Sequence, residues 1–297
     1  MILTEILKEL SIKSETIGQQ DFEILGLVGT NKSQAVCTFV DNEKFVEDLS
    51  DCVKLVLTTN ELKNFFKNKN LCIVEKPRLT FFLIHNYLAD HGEYKRPGFK
   101  TKIGKNCKIS KLADIAENNV TIGDHAVIEE FVSIKENTSI DDNSIIRAGC
   151  RIGGEGYEFK GDGNEMFGVK HLGGVQIGKS VEIQYNSCVD KAVFPWDNTI
   201  IRDYTKIDNL VHIAHGVKIG QAVLIVANSG IGGRTEIGNE SWIGFGATLK
   251  NGLVIGNNCR ANMGSVVTKD VPDNMHVTGN FAIEHSKFIK NIKKAAI

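Results

Sequence analysis

Isoleucine recurs at positions 122, 128, 134, 140, 146 and 152, a step of six without exception. A second register runs through Ile201, Ile207, Ile213, Ile219, Ile225, Ile231, Ile237, Ile243, Leu249, Ile255, Ala261 and Val267. A six-residue step cannot keep one face of an α-helix apolar, because six is not a multiple of 3.6, whereas it always returns to the same side of an extended strand. The position four after each aliphatic residue is small or modest, as at Ala126, Val132, Thr138, Ser144, Cys150, Val217, Ser229, Thr235, Ala247 and Cys259. Glycine often follows the aliphatic residue (Gly123, Gly153, Gly178, Gly220, Gly232, Gly238, Gly244, Gly256), as expected where a chain turns a tight corner. The pattern predicts a hexad solenoid. Each hexad supplies one short strand and three hexads make one triangular coil; stacked coils pair as parallel strands about 4.8 Å apart.

The array starts weakly at Ile103, Ile109 and Ile115, slips by one residue to Ile122, and is broken twice. The stretch 153–176 is too long and too rich in glycine to be a coil and reads as a loop expelled from the solenoid. The second break, Phe194-Pro195-Trp196-Asp197, shifts the register between Val189 and Ile201. Residues 1–97 lack the hexad. Short helices are predicted over Leu3–Leu10, Leu62–Phe66 and Thr80–Leu88, and buried strands over Val53–Leu57 and Leu71–Val74, so this region reads as a small α/β domain. The solenoid then occupies 98–280, ending at the turn Asp270-Val271-Pro272-Asp273-Asn274, and 281–297 reads as a short basic helix capping it.

Composition narrows the class. Thirty-five basic against 36 acidic residues leave a net charge of −1, so no overall field favours nucleic acid or an anionic membrane. No apolar run approaches the roughly 18 residues of a membrane span, and Met1-Ile2-Leu3-Thr4-Glu5 lacks a basic leader, which reads as a soluble cytoplasmic protein. Seven cysteines without a C-x-x-C pair argue against a disulfide framework or a zinc ribbon; Cys107, Cys150 and Cys259 fall on the small interior site of the hexad. His215, two residues after an inward isoleucine, is expected at a coil corner, where an imidazole that titrates near neutrality can serve as a base. Gly233 lies 18 residues on, one coil above it. Asp208 and Asn209 fall at the neighbouring corner, where they either orient a reacting group or stabilise their own turn. His212, odd relative to Ile213, is expected to face the same cleft as His215.

These features resemble the hexapeptide-repeat acyltransferases, and among them the UDP-3-O-acylglucosamine N-acyltransferases of lipid A synthesis. The segment from Gly173 to Gly216, ending in IDNLVHIAHG, is similar to that family's core; GGEGYEF at 153–159 lies where the family carries its loop; and FVDNEKF matches its F-x-x-N-x-K-Y segment through Phe39, Asn42 and Phe45. The resemblance implies a left-handed parallel β-helix assembled as a homotrimer. It implies acyl transfer from a thioester, acyl-CoA or acyl carrier protein, to the amine of a nucleotide-linked amino sugar, with no tightly bound cofactor and no metal. It gives His215 the base role, Gly233 the oxyanion-donor role, and Phe39, Asn42 and Phe45 a uracil site, with His212 beside the substrate. The family's second active-site histidine has no counterpart in Leu249-Lys250-Asn251-Gly252-Leu253. The end of the chain, with Thr268, Lys269, Gly279 and Asn280, is instead similar to the CoA-binding end of small sugar acetyltransferases, with Phe281 replacing a proline. Two forms therefore stay open: the lipid A enzyme, and a paralogue acylating an amino deoxysugar for surface polysaccharide. Two other classes also stay open. A metal-dependent lyase of the β-helical carbonic anhydrase type would draw two ligands from His212 and His215, although no third histidine lies near one coil spacing from either. A non-catalytic β-helical scaffold would leave His215→Ala without effect. Glu155, Tyr157 and Trp196, on the excursions, receive no specific role.

Overall fold

The computed structural model describes residues 1–92, 94–163, 165–279 and 282–295, with side chains except at 162, 288 and 292–295. The chain divides into two compact units. The first consists of Met1–Pro97 together with Tyr157–Leu172 and Val193–Trp196. It contains α1 (Leu3–Glu9), β1 (Glu15–Ile17), β2 (Ile24–Leu25), β3 (Val36–Val40), β4 (Val53–Thr58), β5 (Asn70–Ile73) and α2 (Pro77–Asp90). The sheet order is β1-β5-β4-β3-β2, parallel except for β1. β3 and β4 are apolar almost throughout because both faces of the sheet are covered. Leu55 and Leu57 pack with Leu3, Leu7, Phe81 and Ile84 on one side, and Val36, Val40, Val53 and Val56 with Phe66 on the other. α2 starts with Pro77 in its first turn, where a missing N–H costs nothing. The helix expected over Leu62–Phe66 is a single 3-10 turn, Lys63–Phe65.

The excursion after Gly153 is more than an expelled loop. Phe159–Asp162 pairs antiparallel with Glu165–Gly168, and Tyr157–Leu172 folds with the leading unit and not with the β-helix. Asn86 brackets it, its Nδ2 donating to Gly168 O at 2.8 Å and its Oδ1 accepting from Lys170 N at 3.0 Å. His85 Nε2 meets Lys170 O at 2.8 Å, and the fully buried ring stands edge-on to Tyr94 and Phe194. Burial pulls the His85 pKa down to about 4, against the Lys170 carbonyl, which raises it, and with a further lowering from His171. Below pH ~6.5 the unfolded chain therefore takes up a proton that the folded one refuses until about pH 4. The stability that the neutral ring contributes above that window is lost as the pH falls through it. Between pH 7 and pH 5 this unit is expected to lose about 2 kcal/mol, read as a falling melting temperature, and His85→Gln is expected to flatten the decline.

The second unit, Gly98–Gly156, Gly173–Ala192 and Asp197 onward, is a left-handed parallel β-helix. Among the described residues its three faces carry nine, eight and eight strands. Face one runs from Lys108–Ile109 to His276–Val277, face two from Asp114–Ile115 to Val266–Val267, and face three from Lys102–Ile103 to Val254–Ile255. Each predicted hexad isoleucine from Ile122 onward lies in one continuous core with the small inward residues Ala126, Val132, Cys150, Ala247 and Cys259. Register confirms the slip near the start, since Ile103 pairs with Ile122 and Ile109 with Ile128. The coil does not end at Asp270–Asn274: His276–Val277 pairs with Arg260–Ala261 beyond that turn. The terminal helix, α3, spans His285–Ala295.

The glycines after the hexad isoleucines have a different cause from the one expected. Gly153 apart, they do not have positive φ; a Cβ at Gly232 would come within 2.4 Å of Asn251 N, and one at Gly238 within 2.5 Å of Asn257 N. They are glycine because the next coil stacks on them. Asparagine is the commonest residue at the left-handed corner positions (Asn106, Asn119, Asn137, Asn143, Asn186, Asn228, Asn258 and Asn274, φ 52 to 65°), being the non-glycine residue that tolerates that conformation best.

Candidate active site

His215 follows the face-two strand His212–Ile213 and occupies the corner leading to face three. Its side chain is buried against the next coil. A Cβ added at Gly233 would lie 2.8 Å from His215 Nε2, and Arg234 N donates to His215 O at 2.9 Å. Only glycine fits under this imidazole. The backbone of Gly233 is also distinctive. At other corners the N–H is capped by a side-chain oxygen of the next coil, as in Gln221 N to Asn239 Oδ1 (2.8 Å) and Asn239 N to Asn257 Oδ1 (2.9 Å). Gly233 N has no such cap among the described residues, which leaves a donor beside the ring.

Asp208 and Asn209 lie one corner earlier, between faces one and two. Their oxygens hold backbone: Asp208 Oδ1 accepts from Asn209 N at 2.7 Å, Asp208 Oδ2 from Ala227 N at 3.1 Å, and Asn209 Oδ1 from Tyr185 N at 3.1 Å. This is the corner-capping use of such residues, and it positions the strand His212–Ile213 that leads to His215.

His212 points outward from face two, in a row with Arg151, Cys188, Gly230 and Thr248. Its Nε2 meets Asp190 Oδ2 at 3.1 Å. That hydrogen bond raises the His212 pKa above the ordinary imidazole range despite partial burial. Asp190 was not singled out in the sequence. The usual step from one coil to the next is 18 residues, but Cys188 and His212 are register partners 212 − 188 = 24 residues apart, because the Phe194–Asp197 excursion lies between them. A fixed step cannot find that neighbour. Burial and the Asp190 carboxylate push the Cys188 thiol up, so it stays protonated beside the pair.

In the leading unit, Phe39, Asn42 and Phe45 line one pocket of about 530 Å³ together with Leu27, Lys44 and Arg78. Phe39 is anchored on Phe81, 5.1 Å between centroids, while Phe45 is exposed. Asn42 Oδ1 caps the following 3-10 turn by accepting from Lys44 N at 3.1 Å, leaving its NH2 as a donor. The Lys44 ammonium lies 4.7 Å from the Phe45 ring and the Arg78 guanidinium 5.9 Å from Phe39. Aromatic faces with two cations at the rim suit a base carrying phosphates. Sequence inspection missed Arg78, which sits in the first turn of α2, far from FVDNEKF in the chain.

At the carboxyl end of the β-helix, Thr268, Lys269 and Gly279 line a pocket of about 310 Å³ with Asp270, Val271 and Val277; Asn280 and Phe281 lie outside the described residues. Among the described residues no group of three or more His, Cys, Asp or Glu could hold a metal ion, and no helix is long and apolar enough to cross a membrane.

The model for bacterial transferase hexapeptide repeats (six repeats) matches residues 119–154 and 198–233. A UDP-3-O-acylglucosamine N-acyltransferase from Helicobacter pylori is 29% identical over 94% of this chain and 88% of that protein. A UDP-3-O-acylglucosamine N-acyltransferase 2 from Legionella pneumophila is 46% identical over 35% of this chain, a match that spans 30% of that protein's length. Among solved structures, a UDP-N-acetylglucosamine acyltransferase from Arabidopsis superposes with a TM-score of 0.55 at 24% identity, over 65% of this chain and 67% of that one. One from Campylobacter jejuni superposes with 0.53 at 20%, over 66% and 78%. Likeness at that identity speaks to the fold alone. The hexads, the coil and these relatives agree: the chain carries bacterial transferase hexapeptide repeats on a left-handed β-helix and is similar along most of its length to UDP-3-O-acylglucosamine N-acyltransferases.

Proposed function

We propose that this protein transfers an acyl group from a thioester donor to the amine of a nucleotide-linked amino sugar in lipid A or surface polysaccharide synthesis, working as a homotrimer in the cytoplasm. The observation that carries the reading is the pairing of His215 with Gly233, an imidazole packed on a glycine whose N–H has no acceptor among the described residues. His215 takes a proton from the amine as its nitrogen attacks the thioester carbonyl, and Gly233 N–H receives the oxyanion. Collapse breaks the C–S bond, leaves the amide, and returns the proton from His215 to the departing thiolate. Asp208 and Asn209 hold the preceding corner, and His212, hydrogen-bonded to Asp190, presents a polar contact on the adjacent face. The 530 Å³ pocket supports nucleotide binding through Phe39, Asn42 and Phe45, and the pocket of Thr268, Lys269 and Gly279 supports a phosphate-bearing donor, acyl-CoA or the phosphopantetheine of acyl carrier protein.

The absence of an imidazole from Leu249-Lys250-Asn251-Gly252-Leu253 favours a second form in which the acceptor is an amino deoxysugar. A thiol-release assay decides between them, crossing short and long acyl-CoA and acyl carrier protein with UDP- and dTDP-linked amino sugars. Turnover is expected with at least one pair, and none with any pair overturns the reading. Phe45→Ala is expected to raise KM for the nucleotide sugar about tenfold while kcat stays within twofold, the stacking of one base being worth about 1–3 kcal/mol.

A further inference from the structure

We propose that Thr199 is a positioning residue that ties the corner bearing His215 to the strand end bearing Asp190, so that one buried hydroxyl sets both imidazoles of the site. The inference rests on the acyl-transfer reading for its kinetic consequence, and on geometry for the coupling itself.

Inward hydroxyls in the regular coils follow one rule: at Thr205, Ser229, Thr235 and Ser241 each donates forward, to a carbonyl 15 residues ahead in the next coil. Thr205 Oγ1 donates to Gly220 O at 2.9 Å and accepts from Val223 N at 3.1 Å; Ser241 Oγ donates to Gly256 O at 2.9 Å and accepts from Cys259 N at 3.0 Å. In each case the hydroxyl stitches its own coil to the next one, 15 and 18 residues ahead. Thr199 is equally buried on the same kind of inward site and breaks the rule. Its Oγ1 donates backward, to Asp190 O at 2.6 Å, and accepts from Gly216 N at 2.9 Å.

Both partners belong to the site. Gly216 directly follows His215 and turns the corner at φ 69°, so the Thr199 bond fixes the peptide that sets the direction of the His215 side chain. Asp190 carries the carboxylate that holds His212 Nε2, so the other Thr199 bond fixes the backbone from which that carboxylate reaches. The hydroxyl stands where the Phe194–Asp197 excursion interrupts the coil, so the ordinary stitch between neighbouring coils is replaced there by one across the interruption. A valine would keep the shape and lose both bonds.

The test compares Thr199→Val, Thr199→Ala and Thr199→Ser with Thr205→Val, which breaks two bonds of the same kind within the regular array. In the full chain, Thr199→Val is expected to lower kcat about tenfold with KM for both substrates within twofold, since small displacements of a base are costly, and Thr199→Ser is expected to restore it. Thr205→Val is expected to leave kcat within twofold. Without substrate, ring-proton NMR is expected to show the His212 titration midpoint falling, and the His215 resonances moving, in Thr199→Val but not in Thr205→Val. Thr199→Ala takes the place of Thr199→Val if the valine variant lacks the wild-type far-ultraviolet spectrum. Equal losses of kcat in Thr199→Val and Thr205→Val, or failure of Thr199→Ser to recover, overturn the proposal. If the wild type turns over no substrate, the acyl-transfer reading fails by itself; the NMR comparison still decides the coupling, and imidazole signals unchanged in Thr199→Val overturn it.

Discussion

His215→Ala is expected to lower the rate of acyl transfer by about 10³-fold, within the roughly 10²–10⁴ that a positioned general base supplies, while the melting temperature stays within a few degrees. The amine must lose a proton as it attacks, and the ring that would take it is held by packing on Gly233 and by the corner backbone, with Arg234 N bonded to His215 O. Truncation removes the base and leaves the isoleucine core untouched, since Ile213 and Ile231 carry the packing of those coils. Single-turnover thiol release measures the chemical step directly. A loss confined to KM, or no loss, would mean that the imidazole is a contact and not the base.

Gly233→Ala is expected to be nearly as damaging, about 10²-fold in kcat, although alanine is the smallest possible change. The added carbon meets His215 Nε2 at 2.8 Å and Cε1 at 2.9 Å, distances that real Cβ atoms essentially never show, so the ring must swing away. The φ of Gly233 is not positive, so the backbone itself accepts alanine without strain, and the whole effect falls on the imidazole. Gly246→Ala is the useful contrast. Its φ of 65° makes alanine uncomfortable, yet no atom lies within 4 Å of the new carbon, so this variant should lose melting temperature and keep kcat. If Gly233→Ala behaves like Gly246→Ala, the close approach has no catalytic meaning.

The β-helix was legible because a period of six survives in the identity of single residues: each isoleucine sits inward and each small residue four places on fills the corner beneath the next coil. The pairing of His215 with Gly233 was legible for the same reason, the step of 18 being intact between them. Where the step fails, reading by period fails with it. Asp190 stands beside His212 and Thr199 beneath Gly216 only because the intervening excursion lengthens one coil, and no periodic rule predicts which residues an irregular coil brings together. The glycines show a different gap. Their positions were evident, but a sequence does not distinguish a glycine needed for its φ from one needed because a Cβ there would come within about 2.5 Å of another backbone, and the glycines after the hexad isoleucines, Gly153 apart, are of the second kind. The leading domain was legible in its long buried strands and in α2, and poorly so at Leu62–Phe66, where three apolar residues among polar ones suffice for a single turn but not for a helix.

The composition of the leading unit bears on how the protein is made. Its parts come from three stretches of chain, and the last ends at Trp196, whose Nε1 donates to Leu25 O at 2.8 Å. During synthesis, 196 of the 297 residues must leave the ribosome before that unit has all of its pieces, even though it begins at Met1. Its sheet and helices emerge early with Phe81 and His85 still waiting for Phe194 and Lys170. Early coils of the β-helix are made in the interval, so the leading unit gains its last pieces only after part of the second unit has already been synthesised, and a nascent chain arrested near residue 100 should remain a substrate for chaperones and proteases.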